Sequence, residues 1–91
     1  MYSIKQYTVD KADKLGVVVK PSTKQDKKID VFKDGVKVAS VGAIGYDDYP
    51  TYIQKKGKQY ADERRRLYKI RHKEDRSKKG TPGYYADKLL W

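Results

Sequence analysis

Apolar and polar positions change rhythm part-way along the chain. Up to about residue 41 they come as short alternations and β-branched runs; beyond residue 47 they recur with a helical period. Tyr2-Ser3-Ile4-Lys5-Gln6-Tyr7 begins with alternation, and Val17-Val18-Val19 is a β-branched run closed by Pro21, so both are expected as strands. Residues 10–15 fit one helical turn or a loop, which Gly16 ends in either case. The clearest local signal is the stretch from Lys28 to Val41, with Asp34-Gly35 at its middle. That pair tolerates the positive φ angles of a type I′ turn, whose twist suits two flanking strands. The predicted hairpin sets Lys33 opposite Val36 and Val31 opposite Val38. Ile29, Val31, Val36 and Val38 then share the core face, with Phe32 on the reverse opposite Lys37. The polar segment from Pro21 to Lys27 is a loop. A three- or four-stranded antiparallel sheet follows.

Val41-Gly42-Ala43-Ile44-Gly45-Tyr46 lacks the spacing of a phosphate-binding loop, so its glycines are read as letting the chain leave the strand and turn. Asp47 or Asp48 can cap a helix whose first turn accepts Pro50, and no further proline occurs before Pro82. With Tyr60 as the reference direction, Ile53 and Leu67 fall within about 20° of it, and Tyr68 and Ile70 flank them at about 80°. This is the face expected to pack on the sheet. Lys58, Arg65, Lys69, His72 and Arg76 fall between about 120° and 180°, a solvent-facing cationic stripe. Gly57 marks a kink or a break into two helices. Arg64 and Arg71 contradict the simple pattern, because they fall on the apolar side. They must reach carboxylates such as Asp30, Asp47 or Asp48, stack on tyrosines, or meet a partner. Lys78 to Gly83 stops the helix, and the apolar tail from Tyr84 to Trp91 is expected to dock back as a short helix.

The fold class is therefore α+β in one domain: a β-sheet half (1–45), a basic helical half (47–79) with one long amphipathic helix packed on the sheet, and a C-terminal docking tail (80–91). Composition adds what this domain would bind. The chain has 91 residues, 22 Lys+Arg and 12 Asp+Glu, a formal charge of +10. Residues 51–91 carry a net charge of +8 against +2 for residues 1–50, and all five arginines lie between Arg64 and Arg76. Arginine's planar fork suits phosphate, so a polyanion is the expected partner. The absence of cysteine excludes disulfides, thiol nucleophiles and thiolate metal sites, and a single histidine excludes a multi-histidine cage. No cofactor is implied. Asp47-Asp48 with Asp62-Glu63 could hold a divalent cation as in a nuclease, but paired carboxylates at a helix start read first as caps. Neither a signal-peptide core nor a long apolar run is present, so the expectation is a protein that is not secreted and has no membrane partner. Seven of the nine tyrosines follow residue 45, interleaved with cations. Aromatics near cations suit stacking on unpaired bases or guanidinium planes. Tyr46, Tyr49, Tyr52 and Tyr60 are read as core and seam residues.

The run from Ser40 to Tyr49, the segment from Ala61 to His72 with Arg65-Arg66, Tyr68 and Arg71-His72, then Thr81-Pro82-Gly83-Tyr84-Tyr85-Ala86 and Leu89-Leu90-Trp91 together resemble a small family of basic proteins of unassigned function encoded by large double-stranded DNA viruses of eukaryotes. The resemblance covers residues 40–91. It implies a virion, or the nuclear or cytoplasmic site of viral replication, and carries no catalytic residues. The leading expectation is a non-enzymatic, virion-associated protein that binds nucleic acid, DNA first, through phosphate contacts. Lys58, Arg65, Lys69 and Arg76 would carry them, with Arg66, Lys78 and Lys79 at the margin and His72 as a neutral donor. The alternative is a minor capsid or cement protein whose basic surface meets acidic capsid proteins and whose Tyr84, Tyr85 and Trp91 form the partner interface. Self-association is compatible with either.

Overall fold

Asp34 and Gly35 both take positive φ (53° and 79°) and join β2 (Lys27–Lys33) to β3 (Val36–Ala43). Lys33 faces Val36 and Phe32 faces Lys37, as the turn requires. The pairing then slips by one residue, so that Val31 faces Ala39 and Val38 is the extra residue of a bulge. Because side chains alternate, one inserted residue exchanges the faces of the strand beyond it. Ala39 and Val41 therefore join Ile29 and Val31 in the core, while Val36 and Val38, expected inside, are exposed. β1 (Val18–Pro21) pairs antiparallel with β2 and completes a three-stranded sheet in the order β1-β2-β3. This computed structural model describes residues 2–91.

No strand forms over residues 2–7: residues 2–5 belong to no helix or strand, and Gln6 and Tyr7 begin a helix, α1 (Gln6–Leu15), that extends the helical turn offered for residues 10–15. Its inward positions are Thr8 and Ala12, in line with the partly buried Ile4 and Leu15. That is a helical spacing, hidden from a hydrophobicity reading because Thr and Ala are its central members. Gly16 ends the helix at φ 74°, and its N–H reaches the Ala12 and Asp13 carbonyls.

The C-terminal tail folds as α4 (Pro82–Leu90), capped by Thr81. Ala12 of α1 and Tyr85, Leu89 and Leu90 of α4 cover the apolar sheet face. Gly42, at φ 83°, permits this approach: a Cβ there would stand 2.8 Å from Leu90 Cδ1. Between β3 and α4 the chain forms α2 (Tyr49–Lys56) and α3 (Lys58–Arg71), broken at Gly57. Asp48 caps α2, accepting from the Thr51 N–H (3.1 Å) and hydroxyl (2.6 Å), with Pro50 in the first turn. The long α2–α3 element adds no side chain to the sheet's apolar cluster and joins the body through aromatic residues. Tyr7 of α1 lies 5.3 Å from Tyr49, ring to ring, and its hydroxyl donates to the Trp91 carbonyl at 3.0 Å. The Trp91 indole stacks on Tyr68 at 4.3 Å and 8°. α3 stops at Arg71, short of the expected helical half ending at residue 79. Arg76 lies in a separate 3₁₀ turn (Asp75–Ser77), and Lys78 and Lys79 lie in the exposed turn after it.

Candidate functional site

Gly57 resets the helical phase, and this decides which side chains α3 presents where. Ala61 is fully buried, Arg65 lies 4.0 Å over the Tyr49 ring, Tyr68 meets Trp91, and Lys69 Nζ donates to Asp87 Oδ1 at 2.6 Å. These residues mark the inward line of α3, turned by about 100° from the direction expected of one continuous helix. Tyr60 and Ile70, expected to pack inward, are consequently exposed, Ile70 at 62%. Cations fall on both sides of this line.

On the outer flank, Arg65, Arg66, Lys69 and Arg76 border one shallow depression with Lys73, Ile70 and Asp62. The structure thus assembles three of the five predicted stripe residues (Arg65, Lys69 and Arg76) with the marginal Arg66, and adds Lys73, which continues the Lys69 row at i+4. Lys58 stands one turn earlier on Asp62 (2.9 Å), and His72 turns to the opposite flank. Most of this charge is engaged. Arg66 pairs with Glu63, Arg65 stands 3.6 Å from Asp62, and Lys69 and Arg76 share Asp87 at 2.6 and 3.9 Å. Asp87 is 1% exposed, and its Oδ2 has no hydrogen-bond partner among the described residues. The hydrogen bond from Arg66 holds the Glu63 carboxyl below its ordinary pKa; those from Tyr49 and Lys58 do the same for Asp62.

On the inner flank, α3 faces the end of β3 and the loop after it across a cleft of about 540 Å³. Arg64 and Arg71 line it from the helix, Lys27 and Tyr46 from the sheet side, and Tyr52 and Trp91 between them. Among the described residues neither Arg64 nor Arg71 is within 4.0 Å of a carboxylate, although pairing with Asp30, Asp47 or Asp48 was one expectation for them. Arg64 instead lies 5.7 Å from the Tyr52 ring. Of the carboxylates at the cleft, Asp47 pairs with Lys55 (3.3 Å), and Asp75 lies 3.7 Å from His72 Nδ1. His72, Tyr68 and Trp91 form a continuous stack, with ring centroids 4.4 and 4.3 Å apart. Burial, with smaller contributions from Asp87 and Asp75, pushes the Tyr68 hydroxyl up to about 12. Tyr46, expected in the core or a seam, is 76% exposed at the rim.

The carboxylates weighed as a cation site are used structurally. Besides capping α2, Asp48 accepts from Lys28 Nζ (3.0 Å) and the Tyr2 hydroxyl. Burial would raise its pKa, but the bonds from Thr51 and Tyr2 and the Lys28 charge outweigh that and lower it. Among the described residues no three metal-ligating side chains converge, and no helix is long and apolar enough to cross a membrane. Of the expected partner interface, Tyr85 belongs to the core, and Tyr84 and Trp91 are half-buried against it. Compared with known proteins, the chain matches no family model, no curated protein and no solved structure.

Proposed function

We propose that this is a non-enzymatic nucleic-acid-binding protein that grips phosphates without reading base sequence, using the outer flank of α3. The observation that carries the reading is the clustering of Arg65, Arg66, Lys69, Lys73 and Arg76 around one depression of a molecule with formal charge +10. Among the described residues eight of the 22 lysines and arginines lie within 4.0 Å of a carboxylate, and the whole charge set leaves a net field of +10. Arg66 and Lys73 supply contacts first, with Lys58, Lys78 and Lys79 at the ends. Opening an exposed pair such as Arg66–Glu63 costs only about 0–1 kcal/mol. Lys69 and Arg76 stay on Asp87 and contribute at longer range. The resemblance of residues 40–91 to the viral family suggests the setting, a virion or a replication site, where a sequence-neutral binder has a genome to hold.

Titration on duplex DNA at several salt concentrations tests this. Neutralising about four phosphates gives a log–log salt slope near −3.6 and roughly a hundredfold loss between 50 and 200 mM salt. The variant Arg66→Ala/Lys73→Ala/Lys79→Ala, which leaves Asp87 with both its cations, should flatten that slope by about 2–3. Equal slopes and affinities for variant and parent would refute the reading. Stoichiometric binding to an acidic capsid protein, without affinity for DNA, would replace it with the minor-capsid alternative.

A further inference from the structure

The inner flank differs from the outer one in the kind of ligand its groups can satisfy. Arg64 and Arg71 have no carboxylate within 4.0 Å among the described residues, yet both line a cleft of about 540 Å³ instead of an open surface. Lys27 faces them from the sheet side, and of the two cleft acids, Asp47 and Asp75, the first is already paired with Lys55. The cleft therefore holds a surplus of positive charge. Beside small and aliphatic residues of β3 and α4, its lining includes four aromatic rings: Tyr46, Tyr52, Trp91 and, within its stack, Tyr68. Tyr46 makes no ring–ring or cation–ring contact among the described residues, and it leaves its ring mostly open to solvent at the rim. A free ring beside guanidinium groups that lack a carboxylate partner meets two needs of an unpaired nucleotide, a stacking surface for the base and bidentate donors for the phosphate. Arg64 and Arg71 are seven residues apart, about 10 Å along the helix. That spacing suits successive phosphates of a strand better than one phosphate group. A duplex presents no exposed base face to Tyr46 and is too broad for a cleft of this volume.

We propose that the cleft between β3 and α3 binds a short stretch of single-stranded nucleic acid, with phosphates on Arg64 and Arg71 and a base against Tyr46. This deepens the nucleic-acid reading and rests on it only for the class of partner, since the two sites occupy opposite flanks of α3 and are tested by different variants. Fluorescence anisotropy with a labelled oligothymidylate and a duplex of equal length separates them. The Arg64→Ala/Arg71→Ala variant should lose about two phosphate contacts, lowering the single-strand salt slope by about 1.4, with little change for the duplex. Tyr46→Ala should weaken single-strand binding by roughly five- to a hundredfold at constant slope, because stacking carries no counterion release. The outer-flank triple variant should show the converse, losing duplex affinity while keeping most single-strand affinity. Circular dichroism of each variant confirms that it is folded, and all the altered cleft side chains are exposed or half-buried. Undiminished single-strand binding by both folded cleft variants would overturn the proposal. So would polyglutamate binding as tightly as oligothymidylate, since charge without bases would then suffice.

Discussion

The two flanks of α3 carry similar chemistry in sequence and opposite chemistry in space. Outside, Arg65, Lys69 and Arg76 are each drawn onto an acid of the same molecule, and Asp87 holds two of them from inside the fold. Inside the cleft, Arg64 and Arg71 have aromatic neighbours and no carboxylate. The outer cations near Asp87 are structural first, because they neutralise a carboxylate that burial would otherwise penalise. The inner arginines neutralise nothing, so their removal costs the fold little. A cation count along a helix therefore says how much charge is present, while the partners decide how much of it is free for a ligand.

The largest effect that would sharpen this contrast is expected from Asp87→Ala. Truncating a buried carboxylate that holds two cations costs several kcal/mol in a fully dry setting. With Lys69 and Arg76 each about one-third exposed, about 2–3 kcal/mol is expected here. Denaturant unfolding measures that loss. The same variant should bind duplex DNA more tightly at low salt, because two cations are released to the outer flank. A stable variant with unchanged DNA affinity would break the comparison. Next, Gly42→Ala should cost about 1–3 kcal/mol, read as a lowered melting temperature, since its Cβ would press on Leu90 beneath the cleft. Arg65→Ala should cost about 1 kcal/mol through loss of its seat on the Tyr49 ring. Arg64→Ala, on the other flank, should stay within about 0.5 kcal/mol of the parent. Equal losses for these two arginines would erase the distinction drawn between them.

At neutral pH the smallest effect belongs to Tyr68. Its folded-state pKa is raised from 10.0 to about 12. The folded state thus keeps the proton more firmly than the unfolded chain does. The associated stability is fully present below about pH 10 and is lost as the pH climbs toward 12. Burial also raises Tyr2, Tyr7 and Tyr49, so tyrosinate absorbance during alkaline titration should show several late-titrating groups, one fewer in Tyr68→Phe. A wild-type titration with every tyrosine near the ordinary value would contradict the stacked, buried position.

Features governed by local chemistry were legible in the chain. Asp34-Gly35 forms its turn, an aspartate before Tyr49-Pro50 caps α2, Gly57 breaks the helix, and the tail forms a helix. The misreadings have a common physical origin in positions where one residue resets a period. The bulge at Val38 brought Ala39 and Val41 into the core in place of Val38, while Val36, on the turn side of the bulge, keeps its expected pairing with Lys33 and is exposed. The break at Gly57 rotated α3 by about a quarter turn, which carried Arg65 and Lys69 inward. Of α1 only one candidate turn over residues 10–15 was visible, because Thr8 and Ala12 fill the positions that Leu or Val usually mark. Of the candidate site, the stripe residues Arg65, Lys69 and Arg76 were visible as a helical row with Arg66 at its margin, but their acid partners were not. Lys69 and Asp87 are 18 residues apart on different helices, a pairing only the tertiary fold creates. The cleft was foreshadowed by the misplaced Arg64 and Arg71, two charges on a side that should have been apolar.

The stack of His72, Tyr68 and Trp91 gives the molecule a built-in optical gauge. Trp91 is the sole indole of the chain, it lines the cleft, and it rests almost parallel on a phenol ring. Anything that enters beside it must alter the solvent or the ring contacts around that one fluorophore. Occupancy of the cleft should therefore be readable as quenching or a colour shift of intrinsic emission, without attaching a dye, while ligands held on the far flank leave the signal dark.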